Sequence, residues 1–243
     1  MKIFASDRRV EVLDALLHGE TKDQIKARVP ASTFAFTVNY LKNVGFAEDS
    51  GGEISLTDRG RAYLIIFEQF HTGIKTLRRL FEAFPDHIIY LPDEFFMRLH
   101  EISDFEVVTS EASDVMKPHR VFFEYVSRSK EIIGVSPFLF TDFPDFFKGL
   151  AGKMDSISLV LTKEVFDIIS AYPIEEYDNI EISVIDGAPK IGVAVTDTVL
   201  SIGFYYKSGS YDFTRDLIAT SPDAIAFGKD LVEHYRRQSR KII

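Results

Sequence analysis

The spacing of apolar residues predicts an α+β chain with a helical N-terminal unit closed by a hairpin, a long connecting helix, and a C-terminal α/β domain built on a mixed sheet. Three observations carry this expectation. Within residues 1–60, three short helical periods precede two strand-like runs joined by a turn. From Asp58 to about Phe84, aromatic and aliphatic residues recur at alternating spacings of four and three. Beyond residue 111, short apolar runs alternate with helical periods, the signature of strand–helix–strand units. The expected divisions are 1–60, a connecting region 61–110, and 111–243.

The first helix starts at Ser6 or Asp7, carries Val10, Leu13, Leu16 and Leu17 at helical spacing, and stops at Gly19. Thr21-Lys22-Asp23-Gln24 has the capping-box pattern and opens a second helix that ends near Val29-Pro30. Ser32 is the expected cap of a third helix, with Phe34, Val38 and Leu41 on one face and Gly45 past its end. Phe46-Ala47-Glu48 and Glu53–Leu56 flank Asp49-Ser50-Gly51-Gly52, a hairpin signal. Helix, helix, turn, helix and hairpin in about 60 residues is the order of a winged helix-turn-helix.

Tyr63, Phe67, Phe70, Ile74, Leu77, Phe81 and Phe84 then form a seam suited to lengthwise packing on another helix. Gly73 interrupts it, at about 1 kcal/mol relative to Ala, so this helix depends on packing. Pro85 ends it. The seam has two candidate partners: the same helix of a second subunit, and the chain's own C-terminal domain. A short helix is expected around Pro92 to Ile102.

In the second half, a helix over Val115–Arg128 leads into Glu131–Pro137, a short apolar strand. A helix near Phe143–Leu150 precedes the strand Ile157–Thr162, and a helix over Lys163–Ser170 follows; this spacing implies parallel pairing. Strands Ile180–Ile185, Lys190–Val195 and Val199–Tyr206 come next, the last two antiparallel. Pro222 opens a terminal helix expected to reach about Lys241.

Composition narrows the function classes. The 243 residues include no cysteine, which removes disulfide scaffolds, Cys-zinc modules and thiol nucleophiles. No apolar run is long enough for a membrane span, and the first residues lack a secretory signal, so a cytoplasmic protein is expected. There is no phosphate loop, nucleophile elbow or dinucleotide fingerprint, and the six histidines form no ligand motif, so no enzyme activity, cofactor or metal is expected. The net charge of −9 opposes general coating of nucleic acid. The deficit is uneven: residues 1–60 carry eight basic and nine acidic side chains, close to balance.

With Phe34, Val38 and Leu41 inward, the third helix is expected to present Thr33, Phe36, Thr37, Asn39 and Tyr40 to a major groove. Hydroxyls and an amide suit base edges, and Phe36 suits a thymine methyl. Lys42 and Arg59 are the candidate phosphate contacts. The competing reading is an adaptor that binds a ligand or protein and never meets DNA, in which Phe36 is core and the acidic Glu48, Asp49 and Glu53 repel phosphates.

Leu41-Lys42-Asn43-Val44-Gly45-Phe46 and Ile54-Ser55-Leu56-Thr57-Asp58-Arg59-Gly60 resemble the recognition-helix end and wing of archaeal winged-helix regulators. Gly134-Val135-Ser136-Pro137, Leu159–Val165, Val195-Thr196-Asp197, Leu200–Tyr205 and Gly209-Ser210-Tyr211-Asp212 follow one another in an order similar to the methanogenesis-regulatory-protein middle domain. The resemblance implies a transcription factor with an N-terminal reader of double-stranded DNA and a C-terminal sensing or dimerising domain, acting as a homodimer.

Ser136 and Thr162 end two strands expected to be parallel, where open α/β sheets bind ligands. With His119 and Arg120 they are the candidate contacts for a small anionic or polar effector or a partner protein. The plainer alternatives are a turn at Ser136, a helix cap at Thr162, and a solvated helix face at His119-Arg120.

Overall fold

The computed structural model describes residues 6–138, 148–172 and 177–243. The chain divides into two compact units, Met1–Thr72 and Gly73–Ile243.

The first unit contains α1 (Asp7–Leu17), α2 (Lys22–Lys26), α3 (Ala31–Asn43), β1 (Ala47–Ser50), β2 (Glu53–Leu56) and the start of α4 (Asp58–Ala83). The capping box forms as expected: the Thr21 N–H donates to Gln24 Oε1 at 2.8 Å while the Gln24 N–H donates to the Thr21 hydroxyl. Ser32 does not cap α3. The helix starts two residues earlier, after Pro30, whose ring presets the backbone at the entry. Leu13 and Leu16 of α1, Ile25 of α2, and Phe34 and Leu41 of α3 close a core with Leu64 of α4. β1 and β2 pair antiparallel, Ala47 opposite Leu56. The hairpin is tied to the end of α3, since the Thr57 hydroxyl donates to the Gly45 carbonyl and the Thr57 N–H to the Phe46 carbonyl.

Helix α4 runs unbroken through Gly73. Its buried stripe is Leu64, Thr76 and Leu80, followed by Phe84, mostly one position out of register with the expected seam. Four seam residues are left open to solvent in the single chain: Tyr63 at 49%, Phe70 at 61%, Ile74 at 42% and Phe81 at 51%.

The second unit is a mixed sheet with helices on both faces. After β3 (His87–Ile88), α5 (Asp93–Phe96), a 3-10 turn at Leu99–Ile102 and β4 (Glu106–Thr109) come α6 (Lys117–Val126), β5 (Glu131–Ser136), β6 (Ser156–Thr162), α7 (Lys163–Ile169) and β7 (Ile180–Ile185). Then follow β8 (Ile191–Thr196), β9 (Leu200–Tyr206), β10 (Arg215–Ala219), α8 (Pro222–Arg236) and β11 (Ser239–Lys241). The strand order is β11-β7-β6-β5-β8-β9-β10-β4, with β3 pairing the end of β9. β5, β6 and β7 are parallel and the other pairs antiparallel; the parallel β5–β6 pair and the antiparallel β8–β9 pair are those the spacing predicts. The terminal helix is shorter than expected: it stops at Arg236, and Ser239–Lys241 pairs with β7 as an edge strand. Unpaired N–H and C=O groups along the β7 edge supply the partner that local helical spacing cannot reveal. Three short strands, β3, β4 and β10, fall in stretches where no strand is expected. The expected helix near Phe143–Leu150 lies largely outside the described residues.

Alternation along the strands gives the two faces of this sheet different fates. One face carries Val135, Val160, Val193, Val195, Leu200, Ile202 and Leu217 and packs on Phe227 and Leu231 of α8. The other is filled over β5–β7, where Ile132, Ile157, Leu161 and Ile182 meet Val126 and the α7 residues Val165 and Ile169. Over β8–β10 the same face carries Gly192, Ala194, Ser201, Gly203 and Asp216, and there a cavity remains.

Candidate functional site

Two places on the chain have the features of a site: the outer side of α3 and the cavity on the sheet. On α3 the inner stripe is Phe34, Thr37, Val38 and Leu41, all buried. The expectation that Thr37 projects outward is corrected. It stands at i+3 from Phe34, belongs to the helix's inner face, and is 0% exposed with its hydroxyl unpaired. Phe36, at 51% exposure, and Asn39 do face out, while Thr33 and Tyr40 lie half-buried at the margins. Ser32, Ala35 and Asn43 join the exposed side, positions that the apolar spacing of α3 already implies.

The cations near this side come from three elements. The Arg9 guanidinium of α1 sits 4.4 Å from the centre of the Phe36 ring. Lys42 pairs with Asp49 of the hairpin at 2.7 Å, a contact that holds the Asp49 carboxyl below its usual range. Arg59 is exposed and lies over the Phe46 and Tyr63 rings. Elsewhere in this unit Asp14, His18 and Glu68 bring ligand atoms within 4.8 Å of one another. They are solvent-facing, and such groupings are common without a metal.

The cavity, about 110 Å³, lies between α6 and the small-residue part of the sheet. Gly192 and Gly203 stand directly opposite each other on β8 and β9. A Cβ on Gly203 would sit 1.8 Å from the Tyr211 hydroxyl oxygen, and one on Gly192 would be 2.9 Å from it. The paired glycines therefore make a shelf on which the Tyr211 ring rests, a use of strand glycine that permits close approach. Phe138 lies tilted against that ring and Phe213 meets it edge-on, at centroid distances of 4.0 and 4.9 Å. Phe122 and Phe123 of α6 complete an aromatic wall.

Polar groups in the wall are few. Asp216 accepts from the Ser201 hydroxyl at 2.6 Å, and burial pushes its carboxyl up to about 7 despite that bond. Burial likewise lowers His119 below the ordinary histidine value and raises the Tyr211 phenol well above its own. Burial alone would raise Asp212, but bonds from Thr214 and His87 outweigh it and leave the carboxyl low. Its contact with His87 is 2.9 Å, both side chains being almost fully covered. Arg215, next to Asp216 on the strand, directs its guanidinium to the Ala83 carbonyl at 2.8 Å.

The four residues expected at an effector site divide evenly. Ser136 and His119 line the cavity, though the Ser136 hydroxyl donates to the Phe138 carbonyl. Thr162 lies outside it and caps α7, accepting from the Val165 N–H. Arg120 also lies outside, exposed and paired with Asp114 and Glu124. Sequence reasoning missed Asp216, Ser201 and the Tyr211 shelf. The detectable signal was glycine inside two neighbouring strands that otherwise read as apolar.

Comparison with known proteins places this architecture. Residues 115–238 match the family model described as "Methanogenesis regulatory protein FilR1, middle domain". A curated relative, the methanogenesis regulatory protein FilR1 of Methanothrix harundinacea (strain 6Ac), is 26% identical over 176 residues, which are 66% of this chain and 40% of the relative. The chain thus spans well under half the length of that relative. Among solved structures, one reported as "Structure of TrmBL2, an archaeal chromatin protein, shows a novel mode of DNA binding" superposes with a TM-score of 0.47 at 15% identity, covering 98% of this chain and 95% of the other. Because the matched residues run from before α6 to the end of α8 and take in strands β5 to β10, the cavity and more than half of the chain, this protein belongs to the family of the methanogenesis regulatory protein FilR1 middle domain.

Proposed function

We propose that this chain is a cytoplasmic transcriptional regulator that reads double-stranded DNA through α3, pairs as a homodimer through α4, and senses an effector in the cavity of its second unit. The observation that carries the proposal is the outer side of α3. Phe36 and Asn39 stand clear of the core on a helix whose other face is fully packed, with a hairpin held against its end. Asn39 suits a base edge and Arg59 a phosphate. The four open seam residues of α4 support pairing with a second copy, which would set two reading helices about 34–36 Å apart on a palindromic site.

The test is fluorescence anisotropy of the protein on its own promoter fragment and on a scrambled duplex, across a salt series. Asn39→Ala is expected to cost about 1–3 kcal/mol on the promoter and relax sequence preference. Arg59→Ala is expected to weaken both duplexes equally and to reduce the salt slope by about one. Equal affinity for both duplexes, or none at micromolar protein, rejects the DNA-reading proposal. Light scattering tests the pairing: wild type is expected as a dimer and Phe70→Glu as a monomer.

One observation favours the adaptor reading. Glu48, Asp49 and Glu53 are exposed on the hairpin, and Asp49 already occupies Lys42. The two readings separate at Asp49→Asn, which strengthens promoter binding if Lys42 meets a phosphate and changes nothing in an adaptor.

A further inference from the structure

The cavity constrains the chemistry of what it can hold, and that inference rests on the sensing reading above. Its size comes first. An apolar cavity of about 150 Å³ admits benzene, so a volume of about 110 Å³ fits a molecule of roughly that bulk. The shape follows from residue size: Gly134 and Ala194, opposite each other on β5 and β8, carry little or no side chain where larger ones would have filled the space.

Charge comes next. Among the described residues an anion is poorly served here. Arg120 lies outside the cavity, burial disfavours the charged form of His119, and Arg215, which lies in the wall, commits one N–H to the Ala83 carbonyl. Asp212 and Asp216 are both in the wall and would oppose a second negative charge. Asp212 is spent on His87 and Thr214. Among the described residues Asp216 has the Ser201 hydroxyl and a backbone N–H on its oxygens, and a carboxylate offers about four acceptor sites. The remaining wall is aromatic, and ring faces attract cations.

We propose that this cavity binds a small hydrophobic amine, its protonated nitrogen donating to Asp216 and its hydrocarbon lying against Phe122, Phe138, Tyr211 and Phe213. The ammonium exchanges water for one carboxylate and several ring faces, while the carbon skeleton fills space that water would occupy poorly. The Asp216 carboxyl, which holds its proton up to about pH 7, gives that proton up when the amine arrives. Binding therefore tightens between pH 6 and 8. Among the described residues the other titratable or charged groups facing Asp216 are Tyr211 with a raised phenol, His119 lowered by burial, Asp212 held low by its bonds, and Arg215, bonded to the Ala83 carbonyl. The shifts of Tyr211, His119 and Asp212 all run away from that window.

Isothermal titration calorimetry with benzylamine, benzyl alcohol and benzoate, three probes of nearly one shape and different charge, tests the proposal. Benzylamine is expected to bind most tightly, benzyl alcohol about tenfold more weakly, and benzoate not measurably. Asp216→Asn is expected to lower benzylamine affinity about tenfold while leaving benzyl alcohol within about twofold. Ala194→Phe, which fills the cavity and keeps Asp216, abolishes both. Benzoate binding as well as benzylamine, benzylamine indifferent to Asp216→Asn and Ala194→Phe, or no binding by any probe overturns the proposal. Promoter affinity is measured on the same preparations without probe. Intact promoter binding with no amine binding removes the ligand class alone, whereas amine binding without promoter binding removes the regulator and leaves the cavity's ligand standing.

Discussion

The two faces of the large sheet differ in one respect, the size of the side chains at alternating positions, and that difference separates a core from a cavity. On the face toward α8, β8 and β9 carry Ile191, Val193, Val195, Leu200, Ile202 and Phe204, and every one is buried. On the opposite face the same two strands carry Gly192, Ala194, Ser201 and Gly203. The backbone, twist and hydrogen bonds are shared, so they cannot explain the contrast. Close packing on one side fixes the sheet; missing volume on the other leaves room that aromatic residues from α6 and the Tyr211–Phe213 segment surround without filling. The stable face and the candidate binding face are thus products of one alternating pattern.

Three perturbations sharpen or break this comparison. Phe227→Ala, on the packed side, is expected to cost about 3–5 kcal/mol, because Phe227 is fully buried and its neighbours on two strands cannot close the gap. Urea unfolding followed by circular dichroism measures it; a cost below about 1 kcal/mol would mean that this face is no more tightly packed than the other. Gly203→Ala, on the cavity side, is expected to cost about 1–3 kcal/mol by driving a methyl group into Tyr211. Tyr211→Ala in the same background should recover part of that loss, and purely additive losses would show that the shelf does not matter.

The smallest expected effect concerns charge. In the folded chain Asp216 titrates at about 7, above its ordinary 3.8, so the folded state holds the extra proton between those values. Stability therefore falls as pH rises through that window and levels off above it. Asp216→Asn is expected to remove this decline, so that the variant gains on the wild type at pH 8 and changes little at pH 4. A variant that loses stability equally at both pH values would place the carboxylate in a structural bond instead.

Much of this architecture was legible before any coordinates. The capping box at Thr21, the hairpin around Gly51-Gly52, the continuous helix over the Tyr63–Phe84 seam and the parallel direction of β5 and β6 all follow from spacings along the chain. The candidate site was legible only in part. Ser136 and His119 line the cavity, yet Asp216 is hidden because β10 is a five-residue strand in a stretch that resembles a loop, and Ser201, in the expected strand β9, gains meaning only from its bond to Asp216. Thr37 was misplaced for a different reason: a small polar side chain gives a weak apolar signal, although its position relative to Phe34 and Leu41 already put it inside.

By itself the sequence determined which segments become helices or strands and which face of each is apolar, since both are set by neighbours three, four or two residues apart. It did not determine which strands lie side by side. Ser201 and Asp216, fifteen residues apart, meet at 2.6 Å only because β10 folds back on β9, and β11 forms only because an open strand edge awaits it. Nor did it reveal that Gly192 and Gly203 face each other under Tyr211. Those meetings depend on register and chain reversal, which join residues distant in sequence, and so the cavity and the Asp216 carboxylate in its wall belong to the tertiary structure.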